Sequence, residues 1–295
     1  MVKTIGNPLS WAAKALGQSA HEAGEVTREF AGRDTDPIEI RDLQISDLRI
    51  ALRKGTDDFL ALRTDVIFLI VVYPIIGFLL VWIFSKNELL PLAFPLISGF
   101  ALVGPLAAIG LYELSRRREA GLETSWGDAF AIARSPSLVP IIVLGGFLLA
   151  IFLAWMYAAS WIYAMTLGPE PPASITAFAR DILTTGAGWV MLVGGVGIGF
   201  VFAATVLAIS AISFPLLLDR HVGLPTAVVT SINVAKQNPV AIGAWGLIVV
   251  VLLGVGVVTL FLAMIVVLPI LGHATWHLYR RAIAGTKESR TGPRA

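Results

Sequence analysis

Long apolar segments constrain the fold of this chain more than any other feature of its sequence. Five can be delimited, at residues 66–84, 92–114, 138–167, 187–218 and 240–278. A helix of about 20 apolar residues crosses the roughly 30 Å hydrocarbon core of a bilayer. Charged residues are concentrated elsewhere, since residues 1–65 hold 20 of the 42 charged side chains. The pattern predicts an all-α protein that crosses a lipid bilayer several times.

The last apolar segment is too long for one membrane crossing. A single helix over its 39 residues would measure roughly 58 Å, about twice the hydrocarbon thickness. We therefore predict a hairpin that turns at Gly254, Val255 and Gly256. This division gives a bundle of six membrane-spanning helices.

Lysine and arginine are distributed unequally between the two sides of this six-span arrangement. One side holds twenty of them, whereas the other holds only Lys86 and Arg180. Short cytoplasmic loops carry an excess of these residues, so both termini are predicted to be cytoplasmic. We predict a polar, disordered tail over residues 1–41, a six-span domain over residues 42–283 and a basic tail over residues 284–295. The basic residues flank apolar segments, so no nucleic-acid partner is expected.

A short amphipathic segment precedes each predicted pair of spans. In the first segment, helical spacing places these apolar residues on one face: Ile45, Leu48, Leu52, Phe59 and Leu62. The opposite face holds Asp47, Arg49, Arg53, Asp57 and Asp58. Residues 126–133 and 228–235 are the corresponding later segments. We predict three units, each an amphipathic helix in the cytoplasmic interface followed by a transmembrane hairpin, with chance similarity as the alternative.

Small residues recur at every fourth position in several spans. The clearest stripes are Gly146, Ala150, Ala154 and Ala158 in the third span, and Gly195, Gly199 and Ala203 in the fourth. Small residues let helix backbones approach closely in lipid, so these stripes are predicted to be buried contacts within the bundle. The alternative is that they form the interface of a homo-oligomer.

The centres of the predicted spans contain no aspartate, glutamate, lysine or arginine. Ion-coupled transporters usually keep such groups inside the membrane, so proton-driven transport is disfavoured. Glu113 is the carboxylate nearest to a span, and it precedes the run Arg116 to Arg118. We predict that it pairs with these arginines at a helix end, with a ligand or interface role as the alternative.

Two histidines in the last span are the best candidates for chemistry. His273 and His277 are four residues apart, so both project from one helix face and could bind a metal together with His221. The chain has no cysteine, and no carboxylate pattern supplies a further ligand. The alternatives are hydrogen bonds to neighbouring helices or lipid phosphates, and a headgroup or substrate site that includes Trp276, Tyr279 and Arg280. No cofactor is expected, with a bound metal ion as the alternative. The lack of any catalytic motif favours a non-enzymatic role.

Three stretches resemble a bacterial family of uncharacterised integral membrane proteins, some of whose members are labelled cytochrome c oxidase subunit. They are residues 111–119, residues 215–239 and the closing sequence GHATWHLYR at residues 272–280, which is the most specific. The resemblance covers roughly residues 42–281 and implies an inner-membrane protein of proteobacterial type. Catalytic oxidase subunits hold haem and copper with histidines from several spans, whereas this chain has four histidines.

These features predict a non-enzymatic accessory or scaffold component of a membrane protein complex. One alternative is a carrier or binding protein for an amphiphilic, lipid-like molecule, which requires no buried charge and predicts an apolar cavity near His273 and His277. The other is a metal-binding membrane protein that uses the paired histidines.

Overall fold

The computed structural model describes residues 37–62, 75, 79, 82, 87–220 and 222–284. Within these ranges the chain is helical, apart from turns and an isolated β-bridge between Ile40 and Ile283. The prediction of an all-α protein is therefore confirmed. The α-helices are α1 (Ile45–Ala61), α2 (Ala93–Ala107), α3 (Ile109–Glu119), α4 (Leu138–Thr166), α5 (Ile175–Thr184), α6 (Gly186–Ser210), α7 (Ser213–Asp219), α8 (Leu224–Gln237), α9 (Pro239–Val258) and α10 (Met264–Ala282). Two 3-10 helices, Asn87–Leu92 and Trp126–Arg134, complete the described elements.

Three stretches of the described chain are long and apolar enough to cross a membrane. They are Leu138–Thr166, Gly186–Asp219 and Pro239–Val258, which correspond to the third, fourth and fifth predicted spans. The second predicted span forms α2 and α3, two helices separated by Ala108. The first predicted span lies outside the described residues, except for three positions in helical conformation at Ile75, Leu79 and Trp82.

The last apolar segment contains a turn between two helices, but the turn is five residues later than predicted. Helix α9 continues through Gly254 and Gly256 to Val258, and α10 begins at Met264. The chain reverses at Leu260 and Phe261, whose φ angles are 52° and 68°. Such angles are unfavourable for branched and aromatic side chains, so the turn was not visible in the residue types.

The buried face of α1 differs from the predicted apolar face. Its buried residues are Asp47, Leu48, Ala51, Gly55 and Asp58, which pack along α10. Ile45 is 54% exposed, although its spacing placed it on the predicted face. The reason is close packing: Gly55 lies against the backbone of Ala274, so this face needs small residues rather than large apolar ones.

One of the two small-residue stripes is not buried within the described bundle. Gly146, Ala150 and Ala154 are exposed on α4, whereas the buried side of that helix carries Leu144 and Leu148. Large side chains fill the core there, so the predicted burial is wrong for these three residues, whereas Ala158 of the same stripe is half-buried against the main core. On α6, Gly199 does lie in a close contact, since an added Cβ would be 3.1 Å from the ring of Trp155.

The main hydrophobic core surrounds the short helix α7. Phe214, Leu216 and Leu217 have no exposed surface, and they belong to a cluster that also includes Leu144 of α4 and Trp276 of α10. A second cluster joins α1, α9 and α10 through the following residues: Leu48, Ala51, Trp245, Val267, Leu271, Ala274 and Leu278. Helix α10 contributes to both clusters, and this position fixes where its histidines lie.

Candidate functional site

The ends of α1, α3 and α10 meet at one side of the bundle and bring a set of polar side chains together. Two glycines allow this approach. A Cβ at Gly55 would lie 2.6 Å from the backbone nitrogen of Ala274, and one at Gly272 would lie 2.5 Å from Leu111 Cδ1. Because α10 packs closely on both α1 and α3, side chains from the three helices share one buried polar cluster.

Asp58 is at the centre of this cluster and accepts hydrogen bonds from two helices. Ser115 Oγ donates to Asp58 Oδ2 over 2.6 Å, and Arg118 Nη1 donates to Asp58 Oδ1 over 2.7 Å. His277 Nε2 lies 2.8 Å from Asp58 Oδ2. An ionised carboxylate only accepts hydrogen bonds, so Nε2 of His277 carries the proton.

The environment of Asp58 favours its ionised form. Burial raises the pKa of this carboxyl, but hydrogen bonds with His277 and Ser115 and the proximity of His277 and His273 outweigh that effect. The pKa of Asp58 is consequently lowered from its ordinary value of 3.8. Asp58 is therefore a buried anion stabilised by donors from α3 and α10.

The two histidines predicted to share a helix face each contact one member of the hydrogen-bonded pair Ser115 and Asp58. His273 Nδ1 lies 2.8 Å from Ser115 Oγ, and His277 contacts Asp58, which Ser115 also contacts. His273 is 2% exposed and His277 is 6% exposed. Nδ1 of His277 is buried without a hydrogen-bond partner among the described residues. Both rings therefore join α10 to neighbouring helices, as one of the sequence alternatives proposed.

A second ionic group adjoins the first along α10. Trp276 Nε1 donates to Glu119 Oε2 over 3.0 Å, and Arg280 Nε lies 3.1 Å from the same oxygen. The Tyr279 hydroxyl donates to Asp219 Oδ2 over 2.7 Å, and Arg280 Nη1 lies 3.6 Å from that oxygen. Trp276, Tyr279 and Arg280, the predicted ligand or interface residues, thus tie α10 to α3 and α7.

Glu113 forms an ion pair within its own helix. Nε and Nη2 of Arg116 each donate to a different carboxylate oxygen of Glu113, both over 2.7 Å. This bidentate pair matches the predicted role of Glu113 at a helix end. At the other end of α1, Arg281 contacts Asp47, so α10 is held to α1 by ionic contacts as well as apolar ones.

The predicted metal site stays a prediction. Of its three histidines, His221 lies outside the described residues, and His273 and His277 have the contacts given above. In the part of the chain that the structure describes, no group of three or more His, Cys, Asp or Glu residues is arranged to hold a metal ion.

The sequence analysis missed two members of the polar cluster, Asp58 and Ser115, and two of the adjoining ionic group, Glu119 and Asp219. A signal for Asp58 was present, because Asp47, Ala51, Gly55 and Asp58 recur at helical spacing among mostly small residues. The apolar positions on the other side of α1 outweighed that signal. No such signal exists for Ser115, Glu119 and Asp219, because each lies in a charged sequence at a helix end, which is typical of a solvent-exposed position.

The cluster is suited to holding helices together rather than to turning over a substrate. Ser115 has no exposed surface and His273 almost none, so neither can reach an external molecule in this arrangement. Buried charges that accept several hydrogen bonds are costly to separate, and they fix the relative position of the elements that carry them.

An apolar cavity of about 270 Å³ lies elsewhere in the molecule, between α2, α4, α5 and α6. Its lining includes neither His273 nor His277. The cavity thus has the apolar character expected of a carrier, but it does not open beside the paired histidines.

Comparison with known proteins supports the resemblance to an integral membrane family. No curated protein and no solved structure matches the chain. The matched region is shorter than the resemblance suggested, because it extends from the start of α2 to the end of α7 and leaves out α1 and the closing sequence in α10. Over residues 93–219, the chain matches the model of a family described as predicted integral membrane protein (DUF2189).

Proposed function

We propose that this chain is a six-span protein of the bacterial inner membrane, with both termini in the cytoplasm, and that it acts as a non-enzymatic accessory or scaffold component of a membrane complex. The three long apolar helices account for the third, fourth and fifth spans. Residues 66–84, the α2–α3 pair and α10 supply the other three.

Ionic contacts between distant parts of the chain support this topology. The sequence assigns α1, the arginines after residue 115 and the arginines after residue 279 to the cytoplasmic side. In three dimensions these regions meet, since Arg118 contacts Asp58 and Arg280 contacts Glu119. Helix α4, at about 1.5 Å per residue, carries the chain roughly 43 Å from this side to Leu167.

The order of elements along the chain supports the proposal of three units, each an amphipathic segment followed by a pair of spans. The 3-10 helix Trp126–Arg134 leads into α4, and α8 leads directly into α9 at Asn238. Helix α1 precedes residues 66–84 in the same order along the chain. Each amphipathic segment thus stands before an apolar pair.

The accessory role rests on one observation: the polar side chains best placed for chemistry are buried and hydrogen-bonded to one another. Asp58, Ser115 and His273 stabilise the packing of three helices, which leaves the outer surface for interaction. That surface includes the exposed stripe of small residues on α4, where a partner helix could approach closely. The alternative is that this stripe contacts the same surface of a second copy of the chain.

Reporter fusions test the topology. A reporter that works only in the cytoplasm should be active when it is fused after Ala295. A reporter that works only on the opposite side of the membrane should be active when it is inserted at Gly168. Activity of both on the same side would contradict the six-span arrangement.

Copurification at native abundance in mild detergent tests the accessory role. We expect a stoichiometric membrane-protein partner, identified by mass spectrometry, whose recovery falls in the Ala150→Leu variant. Val250→Leu is the matched control, because Val250 is exposed on α9, away from the stripe. Recovery of the chain alone from every preparation would contradict an accessory role, and recovery of a second copy would replace it with self-association.

A further inference from the structure

The apolar cavity is a structural feature that the accessory role does not use. Its walls come from four α-helices and the 3-10 helix Asn87–Leu92, and they include Phe94 of α2, Trp155 and Ile162 of α4, Phe178 of α5, and Met191 and Gly195 of α6. Two of these helices, α4 and α6, belong to the candidate membrane spans. The cavity therefore adjoins the hydrocarbon region of the bilayer.

The polar atoms of its aromatic walls already have partners. Trp155 Nε1 donates to Ser98 Oγ over 3.1 Å, and the Tyr163 hydroxyl donates to the backbone oxygen of Glu170 over 2.6 Å. Water in a cavity needs two to four polar partners, and these walls leave it few. An apolar group is the occupant that such walls favour.

Two glycines on α6 mark one wall of the space. An added Cβ at Gly199 would meet the Trp155 ring at 3.1 Å, so the helices are in close contact there. One turn earlier, a Cβ at Gly195 would meet no atom within 4 Å. Helices α4 and α6 thus separate towards Gly195, where the cavity begins.

We propose that this cavity binds an acyl chain of a phospholipid. Its volume is slightly below the roughly 300–1,000 Å³ typical of pockets that enclose whole drug-sized ligands, so it accommodates part of a chain rather than a complete lipid. The chain enters from the surrounding bilayer, in which α4 and α6 lie.

The helix that covers the cavity supplies a partner for the lipid headgroup. Phe178 and Ile182 of α5 line the cavity, while Arg180 between them is exposed. Arg180 is one of two basic residues on the predicted non-cytoplasmic side, so its charge complements a phosphate at that membrane surface. This site is independent of the accessory role, because lipid binding requires no protein partner.

Photolabelling of the reconstituted full-length chain tests the proposal. The probe is phosphatidylglycerol with a diazirine in its acyl chain, diluted into vesicles of unlabelled phosphatidylcholine. We expect saturable labelling of the peptides that contain Phe178 and Met191, and competition by unlabelled phosphatidylglycerol. Gly195→Leu should reduce this labelling at least about tenfold. The new side chain displaces about two methylene groups of the acyl chain from the cavity, and their burial contributes about that much affinity.

Gly197→Leu is the matched control, since Gly197 is exposed on the same helix, outside the cavity, and has no atom near its Cβ position. It should label as the wild type does. Ala159→Leu narrows the cavity from α4 and replaces the first variant if that one fails to fold. Uniform labelling of all lipid-facing helices, or equal labelling of the cavity and control variants, would overturn the proposal. Displacement of the probe by oleate but not by phosphatidylglycerol would overturn the assignment to a phospholipid.

Discussion

The two ends of this bundle are held together by different physical means. Where α1, α3, α7 and α10 meet, Asp58, Glu119 and Asp219 are partly or wholly buried and accept hydrogen bonds from histidine, serine, arginine, tryptophan and tyrosine side chains. Where α4, α5 and α6 meet, aromatic rings and aliphatic side chains surround an apolar cavity. At the polar end, the charges and the directions of the hydrogen bonds determine which side chains pair. At the apolar end, packing depends mainly on the shapes of the side chains.

This difference predicts which end of the bundle tolerates substitutions. A buried charge that loses its partner is destabilised by the full cost of its desolvation. An apolar wall next to a cavity accepts added volume without such a cost. Variants at the polar end should therefore alter stability, while those at the apolar end should alter occupancy.

The largest expected effect comes from Asp58→Ala. The substitution removes the acceptor for Ser115 and His277 inside the protein, and we expect the free energy of unfolding to fall by about 3–5 kcal/mol. Arg118 contributes less to this cost because its side chain is 39% exposed and can be hydrated. Denaturant unfolding in detergent, followed by tryptophan fluorescence, measures the change.

Asp57→Ala is the control for that experiment. Asp57 is the exposed neighbour in the same helix turn, and its backbone oxygen keeps the hydrogen bond from Arg118 after substitution. Its removal should change the free energy of unfolding by less than about 0.5 kcal/mol. Equal losses in the two variants would show that the polar cluster does not distinguish this end of the bundle.

The next effect comes from Gly55→Ala, which tests the packing beneath the polar cluster. The new methyl group would lie 2.6 Å from the Ala274 backbone nitrogen, and a backbone cannot move aside as a side chain can. We expect a loss of about 1–3 kcal/mol in the free energy of unfolding by the same fluorescence assay. Gly256→Ala is the matched control, because its close contact is with the flexible side chain of Met264, and it should cost less. A larger loss for Gly256→Ala would contradict this account of the α1–α10 contact.

A third variant, Tyr279→Phe, removes one hydrogen bond and leaves the ring in place. Tyr279 has no exposed surface and its hydroxyl donates to the partly buried Asp219, so we expect a loss of about 1.5 kcal/mol in the free energy of unfolding by heat or denaturant. Tyr157→Phe removes the same hydroxyl from a side chain that is 76% exposed and should have no measurable effect. If the two variants unfold alike, the Tyr279–Asp219 contact does not contribute to the stability of this end.

The sequence predicted the apolar end better than the polar end, for a physical reason. Helices α4 and α6 could be predicted because uninterrupted apolar residues of spanning length have few other uses. The partner of an ionisable residue is set by tertiary packing. Asp58 and His277 are 219 positions apart, and no periodicity connects them.

Glycines were also easier to notice than to interpret. Gly254 and Gly256 suggested a turn, yet Gly256 lies in a helix and makes room for Met264. The residues around Gly55 give no sign of its role, although it determines how closely α1 approaches α10. In both cases the meaning of the glycine depends on the atom opposite it, which belongs to another helix.

The smallest expected effect is a dependence of stability on acid pH that arises from Asp58. Its folded-state pKa is below the ordinary value of 3.8, so its contribution to stability is present above that value and is lost as the pH falls through the folded pKa. The effect is small because burial offsets part of the stabilisation that His277 and Ser115 provide. Melting temperatures of the wild type and Asp58→Asn, measured from about pH 6 to about pH 3, should converge as the solution becomes more acidic, because the wild-type carboxyl is then protonated as well. A constant difference across this range would mean that the pKa of Asp58 is the same in the folded and the unfolded protein. A difference that grows as the pH falls would mean that the folded-state pKa is raised, and the polar end would then be held by neutral hydrogen bonds instead of a buried anion.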